Sequence, residues 1–443
     1  MSISLLIGSV LKNPDYLKLI LKHRRGIYNR GGIEEGTVWK EEMEREAREP
    51  GILWLHFALH LDGVNVLYKS YSGLDVATVI LLDLPHHIGL QKEMIFTPIS
   101  TPATHNPEYL RDLLANLVDD FNNLYTKGEQ FEGADGKSYH VKAKLLFSCS
   151  DNLAQSIAAG MRKPNSDVPC IYCNGSRKLS GFGSGKYFPI EQNVHSVAIT
   201  EMSTIQRKLR FPPFNPPTWE WYCHAYGPYC RSVLQGLEGF NLIKNTVVDL
   251  FHTREEFLVE KGLMQQAYFH KFIVNFGGYH YEPKLQAAHG IKIFSDVKLQ
   301  LLHKSLFKSK TLHLSGHDYG VVLNCFSYFF YDGIFLLPNN VRFNNMLTEE
   351  QYALADMVFL QCWCQLLSCT GFDYSKVDFL VERLKKWAIE VQQRRLNTST
   401  TPNTKNFHKK QVGFMGLHWH NLIHLYEQLG RCGNLFFFVV LCF

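Results

Sequence analysis

Two aspartates in the first third of the chain each follow an apolar segment that has the pattern of a strand. Asp62 ends the segment 52–62, in which leucines and Phe57 alternate with other residues at a period of two. Asp151 comes shortly after the apolar segment 141–149. Open α/β sheets bind ligands beyond the carboxyl ends of their strands, and carboxylate oxygens are preferred ligands of Mg²⁺. The pair therefore predicts a shared divalent-metal site.

Each aspartate also has a purely structural interpretation. Asp62 precedes Gly63, and Asp-Gly is a frequent hairpin turn. Asp151 stands where a helix would begin, and Asp is a favoured N-cap residue. For either residue taken singly, the structural interpretation is the more common outcome. Both interpretations stay open at the level of sequence.

Two cysteines with the spacing C-x₂-C, Cys170 and Cys173, have the pattern of a knuckle that binds Zn²⁺ through two thiolates. A structural zinc needs four ligands, and none of the nearer Cys and His residues completes a recognised spacing. These candidate partners are His195, Cys223, His224 and Cys230. A zinc site and free or buried thiols therefore remain alternatives.

Two further groups contain histidine. Asp249 and His252 form a D-x-x-H pattern, which could face one site or could simply flank the start of a helix. His418, His420 and His424 include a pair four residues apart that could hold a metal. The structural alternative for these three is that they are partly buried residues of a helix.

A third acidic candidate, Asp318, lies near the start of an apolar helix predicted over 315–336. Ser315 and Asp318 also match the capping-box pattern S-x-x-D, which is a structural alternative.

Missing motifs argue against two common enzyme classes. The glycine-rich segment 181–185 lacks the Lys-Ser/Thr of a P-loop, and the chain has no G-x-S-x-G nucleophile elbow. Basic residues with aromatic neighbours support DNA binding only weakly, because charge runs are usually solvated faces. They occur at 207–211, 298–310, 383–387 and 405–410.

The composition is that of a globular protein. The 443 residues are 46% apolar and 20% charged, which excludes a disordered, collagen-like or coiled-coil chain. A net charge of +5 and a pI of about 8.5 fit a nucleic-acid partner without requiring one. The eleven cysteines and the missing signal-peptide pattern indicate a reducing compartment, and no apolar run approaches roughly 20 residues. We therefore expect a soluble intracellular protein.

The elements that must position these residues follow one another as strand, strand, strand, helix, strand and helix. The strands are predicted over 52–62, 76–83, 94–99 and 141–149. The clearest helix has Asn106 as its cap, Pro107 at its first position and Gly128 at its end. This order predicts a mixed α/β layer fold.

Five segments are expected along the chain. They are a helical lead-in (1–50), the first part of the core (51–161), an insertion with the C-x₂-C and D-x-x-H patterns (162–310), a helical C-terminal part of the core (311–396), and a linker with a truncated His-rich helix (397–443).

The order of these motifs resembles the transposases of CACTA-type (En/Spm-like) DNA transposons, from about Gly51 to Leu435. The most specific passages are LHLDGVN, TPISTPATHNPEYLRDLLANLVDDFNNLY, LLFSCSDNLAQSIAAG followed by PCIYC, and VVDLFH. HWHNLIHLYEQLGRCGNL is similar to the family's C-terminal His-containing segment. The resemblance implies an RNase H-like mixed sheet flanked by helices and interrupted by a large helical or irregular insertion.

The resemblance also implies roles for single residues. The catalytic carboxylates that bind Mg²⁺ or Mn²⁺ would be Asp62, Asp151 and Asp318, and the insertion motif would be Asp249 and His252. Glu255, Glu256 and Asp332 are rivals to Asp318. Zn²⁺ at Cys170 and Cys173 is the further metal expected.

The implied activity is metal-dependent cleavage and transfer of DNA strands by DDE/D chemistry. Its partners would be transposon ends and target DNA in the nucleus, with self-association into a homo-oligomer and no membrane. Whether the chain is an enzyme stays open, because a domesticated or decayed relic that binds DNA or protein without catalysis would carry the same motifs.

Overall fold

The structure is a computed structural model, and its described residues belong to one compact unit formed by Met1–Leu250 and Cys369–Phe443. It describes residues 2–23, 32–65, 73–89, 91, 94–102, 107–173, 175–179, 186–189, 232–248, 389, 392–393 and 417–433.

A mixed β-sheet forms the centre of this unit. Its strands are β1 (Ile52–Asn65), β2 (Gly73–Leu81), β3 (Ile95–Pro102), β4 (Glu129–Glu132), β5 (Ser138–Ser150) and β8 (Thr246–Val248). The order is β3-β2-β1-β5-β4, and β8 pairs with the end of β5. The β1–β2, β2–β3 and β4–β5 pairs are antiparallel, whereas β1–β5 and β5–β8 are parallel. A separate small hairpin joins β6 (Lys178–Leu179) and β7 (Lys186–Tyr187).

Helices surround the sheet. They are α1 (Ile3–Leu11), α2 (Pro14–His23), α3 (Thr37–Glu46), α4 (His86–Gly89), α5 (Pro107–Thr126), α6 (Asn152–Ala158), α7 (Leu242–Asn245) and α8 (Leu417–Cys432). Short 3₁₀ turns occupy Ile33–Glu35 and Leu234–Gly236.

Strand β1 is buried on both faces because helices cover each side. Phe57 packs against Phe121 of α5 with ring centroids 5.5 Å apart, and its neighbour His56 packs against Trp39 of α3 at 5.0 Å. Both strand residues are fully buried. Burying one large apolar side chain such as Phe57 contributes about 1.5–3 kcal/mol. Because successive side chains of β1 point to opposite faces, the strand packs against α5 on one face and α3 on the other.

The predicted α/β class is confirmed, and most of the predicted core elements lie close to their expected positions. The helix predicted from Pro107 is α5, and the strand predicted over 141–149 is β5. The first strand is longer than expected, because β1 pairs with β2 through Asp62↔Val76 and on to Asn65↔Gly73. The interpretation of Asp62 as a hairpin-turn residue is therefore wrong.

The N-terminal fifty residues contain helices, as expected, and these helices bury apolar side chains. Helix α1 buries Ile3, Ile7 and Leu11, and it packs against α5 and β4. The Ala134 N–H beyond β4 donates to the Leu11 carbonyl at 2.9 Å. This segment is therefore part of the packed layer around the sheet.

Helix α8 is hydrogen-bonded to strand β8 through the side chain of Gln428. The Val248 N–H donates to Gln428 Oε1 at 2.7 Å, and Gln428 Nε2 donates to the Thr246 carbonyl at 3.3 Å. Gly36 lies against the last turn of α8. A Cβ atom added to Gly36 would be 2.6 Å from the Arg431 carbonyl oxygen. Only glycine allows the start of α3 to approach the end of α8 so closely.

Candidate functional site

Asp62 of β1 and Asp151, which directly follows β5, lie at neighbouring backbone positions. The preceding residues, Leu61 and Ser150, are paired across β1 and β5. The Leu61 N–H donates to Ser150 Oγ at 2.9 Å, and that hydroxyl donates to the Cys149 carbonyl at 2.7 Å. Both aspartates are partly exposed. The strand pairing therefore brings the backbone of Asp62, which lies inside β1, next to that of Asp151, which directly follows β5.

Asp151 is the N-cap of α6, as its structural interpretation predicted. Its Oδ1 accepts a hydrogen bond from the Ala154 N–H at 2.6 Å. A carboxylate can accept at both of its oxygens, so capping leaves further capacity for a metal ion. The cap also holds Asp151 in one orientation relative to α6.

The clearest candidate metal centre is formed by two cysteines and two histidines from distant parts of the chain. Cys170, Cys173, His420 and His424 are all buried, and their ligand atoms lie within 4.8 Å of one another. Cys170 Sγ lies 3.4 Å from His424 Nε2, and Cys173 Sγ lies 3.2 Å from His420 Nε2. The two Nε2 atoms are 3.2 Å apart. Below we call this group the Cys₂His₂ centre.

The distances within the Cys₂His₂ centre suit a small tetrahedral ion. Bonds of about 2.3 Å to sulfur and 2.05 Å to nitrogen separate two nitrogens by about 3.3 Å and a sulfur from a nitrogen by about 3.6 Å in a tetrahedron. The observed separations are within a few tenths of an ångström of these values. All four positions of such an ion would be taken by protein atoms.

The local backbone prepares the two thiolates for a cation. The Tyr172 N–H donates to Cys170 Sγ at 3.4 Å, and the Gly175 N–H donates to Cys173 Sγ at 3.3 Å. A Cβ on Gly175 would lie 2.9 Å from the His420 ring. Glycine is therefore required for the cysteine loop to reach the histidine helix.

Helix geometry accounts for the two histidines. Residues four apart lie on the same face of a helix, so α8 turns His420 and His424 toward the cysteines together. Nδ1 of His424 lies 3.3 Å from Glu427 Oε2. A hydrogen bond at Nδ1 leaves Nε2 available as a ligand, which is the usual arrangement around a metal-bound imidazole.

The electrostatics of the centre favour negative sulfur beside a positive partner. Burial opposes ionisation of Cys170, but the hydrogen bond with Cys173 and the charge of His424 hold the pKa of its thiol well below the usual range. Burial also lowers the pKa of His424, yet the charges of Cys170 and Cys173 raise that pKa well above its ordinary value. A metal cation would supply the positive charge that these thiolates favour.

The sequence identified both halves of this centre but did not join them. From the sequence, Cys170 and Cys173 are candidate zinc ligands, and their candidate partners, His195, Cys223, His224 and Cys230, lie outside the described residues. His420 and His424 lie in a helix, as their structural interpretation predicted, but they are fully rather than partly buried and face the thiols. The signal was present, since C-x₂-C followed by H-x₃-H is a zinc-ligand spacing.

A second group of metal-type ligands links α3 to the sheet. His56 Nε2 lies 2.6 Å from Glu46 Oε1, and His56 Nδ1 lies 3.1 Å from Asp83 Oδ1. Glu42 completes the group and forms an ion pair with the buried Lys144 of β5. Because cationic side chains already face these carboxylates, we interpret the group as a buried ion-pair network.

The charge state of His56 follows from its surroundings. Burial lowers the pKa of His56, but the charges and hydrogen bonds of Asp83 and Glu46 outweigh burial and raise it to about 9. The imidazole is therefore protonated at neutral pH and bridges the two carboxylates.

Several predicted site residues lie outside the described part of the chain. These are Asp249, His252 and Asp318, together with the rival acids Glu255, Glu256 and Asp332. Their roles stay predictions. Among the described helices, none combines the length and apolar character that a bilayer span requires.

No protein-family model matches this chain, and no curated protein matches its sequence. The transposase resemblance therefore rests on the sequence motifs alone.

Proposed function

We propose that this chain is a transposase-derived DDE/D protein with an RNase H-like core that cleaves and transfers DNA strands with divalent metal ions. One observation carries the proposal. The parallel pairing of Leu61 with Ser150 brings the backbones of Asp62 and Asp151 next to each other, although the two residues are far apart in sequence. A mixed sheet flanked by helices is compatible with an RNase H-like core.

The proposed chemistry explains why such a site needs paired carboxylates. Two Mg²⁺ or Mn²⁺ ions about 3.5–4 Å apart would activate water or a 3′-hydroxyl and stabilise the leaving oxygen in an in-line displacement. Asp62 and Asp151 would anchor the ions, and Asp318 is the proposed third carboxylate. DNA is the proposed partner, with the nucleus as the compartment and a homo-oligomer as the working assembly.

Zn²⁺ is the proposed occupant of the Cys₂His₂ centre, and its role is structural. Structural zinc sites are tetrahedral and closed by four Cys or His ligands, whereas catalytic sites keep one position for water. The four ligands of this centre are buried. The centre would therefore hold the cysteine loop and α8 together, and the partly exposed aspartates would carry the chemistry.

The test compares charge-removing variants at the two aspartates. Asp62→Asn and Asp151→Asn should each abolish Mg²⁺-dependent cleavage or joining of DNA carrying transposon ends, a loss of at least about 10³-fold. Asn caps helices as well as Asp does, so Asp151→Asn should keep the melting temperature of the wild type. Asp119→Asn, at an exposed position on α5, is the matched control and should leave cleavage unchanged. Full cleavage by either site variant would contradict the proposal.

A second candidate function is supported by the cap at Asp151. Because Asp151 Oδ1 accepts from the Ala154 N–H, its presence is already explained without catalysis. A non-catalytic relic would bind DNA with strong salt dependence. It would show no divalent-ion binding that depends on Asp62, and the same variants would therefore separate the two functions.

A further inference from the structure

Two side-chain hydrogen bonds tie the Cys₂His₂ centre to helix α6, which begins directly after Asp151. Asn421 Nδ2 donates to Asn152 Oδ1 at 2.8 Å, and Asn421 directly follows the candidate ligand His420. Tyr172, which lies between the two cysteines, donates its hydroxyl hydrogen to Gln155 Oε1 at 3.3 Å. Both halves of the centre therefore contact the same short helix.

The first of these bonds is placed to control Asp151. Asn421 is 2% exposed, so its amide is held by the packing of α8. Its partner Asn152 is the first residue of α6 and is bonded covalently to Asp151. The Asp151 carboxylate in turn caps α6 through Ala154. A displacement of α8 would therefore move the residue next to Asp151.

Helix α6 is also hydrogen-bonded to strand β8. Gln155 Nε2 donates to the Val247 carbonyl of β8, and β8 is itself bonded to α8 through Gln428. The position of α6 thus depends on α8 along two routes. Functional carboxylates need placement within about 0.5 Å to bind ions productively.

We propose that Asn421 is a positioning residue through which the Cys₂His₂ centre orients Asp151 for divalent-ion binding. The inference rests on the proposed function, because it assumes that Asp62 and Asp151 bind such an ion. Asn421 does not touch the ion. It fixes the first turn of α6, and the metal centre fixes Asn421.

The experiment measures Mn²⁺ binding by full-length, zinc-loaded protein with electron paramagnetic resonance, and Asp62→Asn defines the part of the binding that belongs to the acidic pair. Asn421→Leu, which keeps the number and branching of the side-chain heavy atoms but removes the amide, should raise the Mn²⁺ dissociation constant about tenfold, the range seen when outer-shell partners of metal ligands are removed. Zinc content should stay at the wild-type level. In a cleavage assay, the Mg²⁺ concentration for half-maximal rate should rise while the rate at saturating Mg²⁺ recovers.

A double-mutant cycle separates positioning from general loss of stability. Asn152→Ala removes the same hydrogen bond by truncating its acceptor, which is partly exposed. The double variant Asn152→Ala with Asn421→Leu should bind Mn²⁺ no more weakly than either single variant. Gln428→Leu is the matched control, because it removes another buried amide of α8 that contacts β8. Its effect should add to that of Asn152→Ala.

The outcomes are distinct. Wild-type Mn²⁺ binding that does not depend on Asp62 would overturn the proposed function and this inference with it. Asp62-dependent binding that is unchanged in Asn421→Leu and Asn152→Ala would overturn this inference alone. If Asn421→Leu loses zinc, Asn152→Ala still decides the question, because it lies outside α8.

Discussion

At the scale of single residues, the best-defined feature is Ser150 at the junction of β1 and β5. Its fully buried hydroxyl accepts from the Leu61 N–H and donates to the Cys149 carbonyl, so one side chain satisfies two backbone groups. Asp62 directly follows Leu61, and Asp151 directly follows Ser150. The serine therefore stabilises the register on which the proposed site depends.

Ser150→Ala should lower the free energy of unfolding by about 1–3 kcal/mol, because it leaves the buried Leu61 N–H without its acceptor. Urea titration monitored by circular dichroism measures the change. Ser138→Ala, at the exposed start of the same strand, should stay within about 0.5 kcal/mol of the wild type. Equal stability of the two variants would mean that the hydroxyl does not stabilise the strand pair.

At the scale of elements, helix α3 is held to the sheet by buried charges as well as by apolar packing. His56 of β1 bridges Glu46 of α3 and Asp83 after β2, and Lys144 of β5 pairs with Glu42 of α3. Such buried pairs are costly to break from one side, because the remaining charge stays desolvated. The attachment of α3 should therefore depend on pH.

Stability should fall as pH rises through the pKa of His56. The folded-state pKa of about 9 lies above the ordinary value of 6.5, so the folded protein binds the proton more tightly than the unfolded chain does. The contribution, up to about 3 kcal/mol, is fully present below pH 6.5 and is lost by about pH 9. Urea unfolding between pH 6 and pH 10 measures it.

His56→Gln is the comparison for this pH profile. The variant should be less stable at neutral pH, and its free energy of unfolding should change less between pH 6.5 and pH 9 than that of the wild type. Parallel profiles for the two proteins would show that His56 is not protonated in the folded state.

At the scale of the whole molecule, the Cys₂His₂ centre joins parts of the chain that no local element connects. Cys173 and His420 are 247 positions apart. Helix α8, which carries His420, packs on α3 and is hydrogen-bonded to β8. Binding energy at such a centre is folding energy, because the unfolded chain has no preformed site.

Removing the metal should therefore release α8 and destabilise the whole described unit. A chelator, or the variant Cys173→Ser, should lower the melting temperature by at least about 10 °C and expose the chain near 417–433 to proteolysis. Cys432→Ala removes a buried thiol of α8 that lies outside the centre, so it should leave the metal content unchanged. A chelator-treated protein that melts like the wild type would contradict a structural metal.

The amino-acid sequence by itself determined the α/β class, the core strands and helix α5, because alternation and helix capping are encoded by neighbouring residues. It also made Asp62, Asp151 and the two cysteines candidate metal ligands. Only the tertiary structure decided that β1 and β5 adjoin beside the aspartates and that His420 and His424 face the cysteines. Such long-range contacts depend on how the whole core packs. The local sequence around a residue does not specify which distant segment will pack against it.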